Sequence, residues 1–148
     1  DNLEVLEENV KIFPYKNIDI FPCGLSDKNK DGTPIRLNSY APGFNIFAAE
    51  MNNIRLPLRT IDYLVDSGEI EKINFLKLDV EGSEMATLRG ARNSIDRFKP
   101  KLAISIYHKP DDFFEIINYI KENHKYYKLY VDHYTVHREE TVVYGLPY

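Results

Sequence analysis

Apolar residues recur along this chain in two rhythms, one of helical spacing and one of short continuous runs. Leu3, Leu6 and Val10, with Glu7 beside them, predict a short helix with one apolar stripe. Ile18 to Leu25 reads as a strand that stops at Ser26-Asp27. Lys28 to Gly32 has turn chemistry, and Pro34 to Asn38 reads as a second, edge-type strand. Residues 39–53 show no period and are read as a loop of functional length. Thr60 then caps a helix carrying Ile61, Leu64 and Val65 on one face, and Gly68 stops it. Ile73 to Asp79 is nearly continuously apolar, the pattern of a strand buried on both faces. Ser83 to Phe98 is predicted as one helix with Met85, Leu88, Ala91, Ile95 and Phe98 along its buried stripe. Leu102 to Tyr107 is a further buried strand. Pro110 suits a first helical position, with Asp111 and Asp112 complementing the dipole of a helix that buries Phe113, Ile116, Ile117 and Ile120. Lys128 to Tyr134 and Thr141 to Tyr144 read as an antiparallel strand pair.

Strands that alternate with helices predict right-handed βαβ units and an α/β fold with a mainly parallel sheet. In such sheets ligands bind beyond the carboxyl ends of the strands. The informative residues are therefore the polar ones where strands stop: Ser26-Asp27, Asp79 to Gly82, Tyr107-His108, and Asp132 to Tyr134.

Composition narrows the partners. The 148 residues carry a net charge of -4, and the lysines are mixed with acids, so no basic face for a nucleic-acid backbone is expected. No apolar run is long enough for a membrane span, and the lone Cys23 excludes an internal disulfide, which together point to the cytoplasm. Cys23 itself reads as a small buried hydrophobe. The chain opens on Asp1 with a helical pattern at once, as a chain cut inside a domain would, a processed or trimmed native terminus being the alternative.

The segment Asp79-Val80-Glu81-Gly82-Ser83-Glu84 holds the densest chemistry. It puts three carboxylates within six residues at the end of an apolar strand, where repulsion must be offset by a cation, a proton or hydrogen bonds. Gly82 permits a tight turn into the next helix. Ser83 and Glu84 have a second reading as caps of its first turn, and for Glu84 the two readings stand level. Of the histidines, His108 sits where a strand ends and suits proton transfer. His124 and His137, beside Lys125 and Arg138, read as solvated, and His133 as a packed, hydrogen-bonded strand residue. Lys77 is placed either to pair with Asp79 or Glu81 or to reach the surface. Asp79, Glu81, His108 and His133 are chemically able to bind a metal, but no two share a helical face or a recognised spacing, so no metal is expected.

Phe75 to Glu84, followed by Leu88-Arg89-Gly90-Ala91, resembles the signature of FkbM-type methyltransferases. Gly24 to Asp27, Arg59 to Leu64, Ala103 to Asp112, Tyr130 to Tyr134 and Glu140 to Tyr144 are similar to that family in the same order. The resemblance covers most of the chain from Leu25 on, with residues 35–55 matching poorly. It implies S-adenosylmethionine as cofactor and O-methylation of a sugar or small-metabolite hydroxyl. It also implies a Rossmann-like class I methyltransferase sheet, mostly parallel with an antiparallel carboxyl-terminal strand.

On that resemblance residues 1–148 form a single, N-terminally truncated methyltransferase domain. The family's glycine-rich turn and the acidic residue after it would lie before Asp1, since the glycines here (24, 32, 43, 68, 82, 90 and 145) form no closely spaced fingerprint. The chain alone is then expected to bind cofactor poorly. Asp79 would face the sulfonium, and Glu81 and His108 are the candidates to take the acceptor's proton. Asp27, with Ser26 beside it, would accept from the adenine amino group; a plain turn-forming pair is the level alternative. The acceptor is a small molecule or glycan, and the oligomeric state is left open, a dimer through an exposed edge being one outcome. Two other readings stand against this enzyme: a non-catalytic accessory domain that keeps the fold, and a metal-dependent hydrolase using the same carboxylates.

Overall fold

The computed structural model describes residues 2–15, 17–34, 36–37, 44–45, 55–136 and 139–148. Fourteen elements follow in order: α1 (Asn2–Ile12), β1 (Gly24–Leu25), β2 (Lys30–Pro34), β3 (Arg36–Leu37), β4 (Phe44–Asn45), β5 (Arg55–Arg59), α2 (Ile61–Asp66), β6 (Phe75–Leu78), α3 (Glu84–Arg89), α4 (Arg92–Phe98), β7 (Lys101–Ser105), α5 (Asp112–Asn123), β8 (Tyr127–His133) and β9 (Thr141–Pro147). None of the described helices is long and apolar enough to cross a membrane.

The fold is α/β with mixed sheets. Among the described residues the strands form a four-stranded sheet ordered β6-β7-β9-β8, a three-stranded sheet ordered β1-β5-β2, and the pair β3-β4. Among these described strands β1–β5 and β6–β7 run parallel and the other pairings are antiparallel. The mostly parallel sheet expected from βα alternation is therefore corrected, because β9 inserts between β7 and β8 and turns both contacts antiparallel.

Position in the sheet explains the burial of each strand. β7 lies between β6 and β9, and Leu102 to Ser105 are all buried, as the apolar run predicts. Among the described residues β6 pairs only with β7, and its burial alternates: Leu76 and Leu78 point into the core while Phe75 and Lys77 are exposed. The expectation of burial on both faces fails for this strand. Leu78, Leu88, Ile95, Leu102, Ile104, Ile116, Ile120 and Val143 form the centre of the core between this sheet and the helices.

Three other expectations change. Residues 17–22 are not strand; only Gly24–Leu25 finds a partner, in β5. Residues 30–34, read as turn and edge strand, form β2, which pairs with a strand not anticipated at all, β5. Pro57 at the centre of β5 argues against a strand because it has no N–H to donate. The pairing accommodates it with a bulge, since Lys30 faces Leu58 and Thr33 faces Leu56, leaving an extra residue in β2 opposite Pro57. Gly32 lies in that bulge at φ +63°. The predicted loop 39–53 lies outside the described residues except for Phe44–Asn45, which form β4.

The single helix predicted over residues 83–98 is two, broken at Gly90-Ala91. The break follows from packing. A Cβ built on Gly90 would stand 2.1 Å from the Ser26 carbonyl oxygen, so the chain leaving β1 crosses here at backbone contact. Asp62 of α2 then caps α4 from outside: its Oδ1 accepts from Ser94 N at 2.8 Å and Ser94 Oγ at 2.6 Å, and its Oδ2 from Asn93 N at 3.1 Å. Thr60 caps α2 as predicted, accepting from Tyr63 N at 2.9 Å. α5 begins at Asp112, two residues after Pro110, so the proline shapes the preceding turn rather than the first helical position.

Candidate functional site

β6 and β7 lie side by side and parallel, so their carboxyl ends emerge together. Beyond β6 the chain makes a left-handed step, with Glu81 at φ 53° and Gly82 at φ 92°. Two successive residues in this region reverse the backbone sharply, and at Glu81 the conformation is strained for a side-chain-bearing residue. α3 follows, and its first residue, Glu84, turns back so that its Oε1 accepts the Val80 N–H at 2.8 Å. From β7 the chain continues through Ile106 and Tyr107 to His108, which lands opposite this turn. Lys109 Nζ donates to the Gly82 carbonyl, tying the two loops together, and Lys109 N donates to Asp112 Oδ2 at 2.8 Å, holding its own loop to the start of α5.

The result is one cluster. His108 Nε2 lies 3.7 Å from Asp79 Oδ1 and 3.7 Å from Glu81 Oε2, and its Nδ1 lies 2.8 Å from Glu84 Oε1. That last approach is too oblique for a well-aligned hydrogen bond, and both Nδ1 and Glu84 Oε2 are buried with no hydrogen-bond partner. The His108 side chain is 10% exposed and that of Glu84 0%, whereas Asp79 and Glu81 open to solvent at 33% and 44%. The site thus has a buried imidazole–carboxylate floor and a wet, acidic rim.

Asp79 is the best-held of the four. Lys77 Nζ stands 3.0 Å from its Oδ2, the ion-pair option of the sequence, and Tyr107 Oη donates to Oδ1 at 3.2 Å. Burial raises its pKa, but hydrogen bonds from Lys77, Ser105 and Tyr107 outweigh burial and hold it below the usual carboxylate range. The same contact, with burial as the larger cause, pushes the Tyr107 phenol up to about 12. The Tyr107 ring also leans on His108, the centroids 4.2 Å apart.

Asp79, Glu81 and His108, chosen from strand ends, are brought together; Ser26 and Asp27 are not brought to them. Ser26 is buried, its N–H donating to Arg59 O at 3.0 Å and its hydroxyl to Asp27 Oδ1 at 3.3 Å. Asp27 is exposed at the end of β1 in the three-stranded sheet. Asp79 presents a negative charge at the rim of the cluster, and Asp27 is open to solvent. An apolar groove of about 450 Å³, lined among others by Phe21, Cys23, Leu25, Ile61, Leu64 and Phe75, contains none of these residues.

Glu84 and Tyr107 are the members that strand-end reasoning undervalued. The signal for Glu84 was present: positions 84, 88, 91 and 95 fall on one helical stripe, and Leu88, Ala91 and Ile95 are fully buried. The remaining histidines do not join. His133 is exposed rather than packed, and hydrogen-bonds Thr141 Oγ1 at 2.8 Å. His124, expected to be solvated, is fully buried; its Nδ1 meets Asp96 Oδ1 at 2.8 Å beneath Tyr119, Tyr126 and Tyr127. His137 lies outside the described residues. Cys23 is half-buried rather than buried, and burial pushes its thiol up.

Residues 6–128 match the methyltransferase FkbM domain. The chain belongs to the FkbM methyltransferase family. Its structure is similar to the crystal structure of Methyltransferase FkbM from Methylobacillus flagellatus KT, with 28% identity, a TM-score of 0.73, and coverage of 98% of this chain and 34% of that one. The chain therefore spans about a third of that FkbM protein's length. No curated protein matches it. Membership agrees with the signature read around Asp79, and three carboxylates of that signature are the ones gathered on His108.

Proposed function

We propose that this chain forms the acceptor-side part of a methyltransferase that uses S-adenosylmethionine to O-methylate a sugar or small-metabolite hydroxyl in the cytoplasm. The observation that carries the reading is the convergence of Asp79, Glu81 and Glu84 on His108 at the paired ends of β6 and β7. Family membership supports methyl transfer, and strand-end placement supports a class I sheet in which the site lies at the carboxyl edge. S-adenosylmethionine would supply a methyl group on a positively charged sulfur. Asp79, held ionised by Lys77 and Tyr107, would attract that charge. An acceptor hydroxyl at the rim would lie within reach of Glu81 and His108, either able to take its proton as the oxygen attacks. The chain's contribution is alignment and a base, the two demands of an in-line displacement at carbon.

The test uses a polypeptide extended upstream of Asp1 and radiolabelled S-adenosylmethionine with a panel of sugar and polyol acceptors. Glu81→Gln or His108→Ala is expected to lower turnover about 10²- to 10⁴-fold, the usual worth of a positioned acid or base. Unchanged turnover in both variants removes the assigned roles. The alternative is an accessory domain that keeps the fold without chemistry, in which the buried Glu84–His108 contact serves only the structure. It predicts no cofactor binding even in the extended polypeptide, measured by calorimetry.

A further inference from the structure

The charges at the site do not balance. Glu84 is fully buried, and its Oε1 takes the Val80 N–H while its Oε2 has no partner. His108 is nine-tenths buried, makes no well-aligned hydrogen bond among the described residues, and faces three carboxylates. Lys77 is engaged by Asp79, and Lys109 bonds the Gly82 carbonyl. A buried carboxylate and a buried ring nitrogen left unsatisfied side by side are costly unless a further group sits between them. Asp79, Glu84 and His108 each offer one donor atom, and these atoms lie within 4.8 Å of one another, close enough to surround one ion.

We propose that Asp79, Glu84 and His108 bind a divalent transition-metal cation at the ends of β6 and β7. Two carboxylates and one imidazole suit manganese, iron or zinc better than magnesium or calcium, which favour all-oxygen sets. Tyr107, donating to Asp79, and Val80 N–H, donating to Glu84, then serve as the outer contacts that orient the ligands. Sequence spacing hides such a site, since the donors come from a strand end, a helix start and a second strand end. This inference rests on the reading above in using the same pocket, where it gives Asp79 and His108 a ligand's role in place of charge attraction and proton transfer. With His108 ligating, Glu81, 3.7 Å from its Nε2, is left as the base for an acceptor hydroxyl that the cation would polarise.

The test is titration of the protein with Mn²⁺ alone, following loss of the free-ion EPR signal, without methyl donor or acceptor. The expected result is uptake of one equivalent, weakened at least tenfold by His108→Ala and by Asp79→Asn. Glu84→Gln is expected to do the same where circular dichroism shows it folded; the partly exposed Asp79 and His108 variants keep the test sound if it does not fold. No uptake, or uptake unchanged by His108→Ala and Asp79→Asn, overturns the proposal. Metal binding without turnover in the extended polypeptide would instead count against methyl transfer, so the two readings fail separately.

Discussion

The turn from β6 into α3 depends on Gly82, whose φ of 92° is open to glycine and strained for any other residue. A Cβ there would also stand 3.1 Å from Lys109 Cε, a flexible atom that can move aside. Backbone strain, more than the contact, is therefore expected to set the cost: Gly82→Ala should lower stability by about 1–3 kcal/mol, read from urea midpoints. An unchanged midpoint would mean the turn is more adaptable than its angles imply. Single residues were unevenly readable in the sequence. Asp79, Glu81 and His108 could be chosen because strands visibly stop at them. Glu84 was obscured because a carboxylate at a helix start has an ordinary capping use. His124 was misread because polar neighbours in sequence say nothing about a ring that folds inward at a helix end, onto Asp96. There, burial raises the Asp96 pKa, and hydrogen bonds from Tyr126 and His124 outweigh it, so that carboxyl is held low.

Between elements, the joints are made by side chains acting at a distance in sequence. Asp62 supplies α4 with the cap that Ala91, at its own cap position, cannot. Asp62→Ala is expected to cost about 1–2 kcal/mol, the usual loss of a cap with its hydrogen bonds, and chemical denaturation would show it. Gly90→Ala is the harsher change, because the obstructing atom is backbone. It should destabilise by about 1–3 kcal/mol or prevent the β1 exit from seating on the helix break, a shift visible in the amide spectra of Ser26 and Gly90's neighbours. Helices and the buried β7 were readable from the periodicity, since a continuous core leaves a regular stripe. β5 was not, because Pro57 is tolerated only by a bulge formed in a different strand, and no local pattern announces that.

At the scale of the whole molecule, one parallel pairing sets β6 and β7 side by side, an antiparallel strand, β9, closes the other side of β7, and the core behind them fixes their register. Ile104, fully buried in β7, carries much of that packing. Ile104→Ala should cost about 2–5 kcal/mol, with the spread set by how far the cavity collapses. Alkali should act through the tyrosines behind α4. Burial, with Asp96 nearby, raises the Tyr126 and Tyr127 phenols well above their ordinary value of 10.0. Their folded form holds its protons longer than the unfolded form. The stability they contribute is thus present below about pH 10 and is lost as pH rises beyond it, which pH-dependent melting would follow. Topology was less readable than elements, because alternation of strands and helices does not reveal where the last strand inserts. What the architecture delivers is convergence, and a double-mutant cycle on methyl transfer by the upstream-extended polypeptide tests it most directly. Asp79→Asn and His108→Ala, combined, should be scarcely worse than the poorer single variant, because groups that serve one pocket fail as a unit. Fully multiplicative losses would mean that the two side chains act independently, contrary to a single shared site.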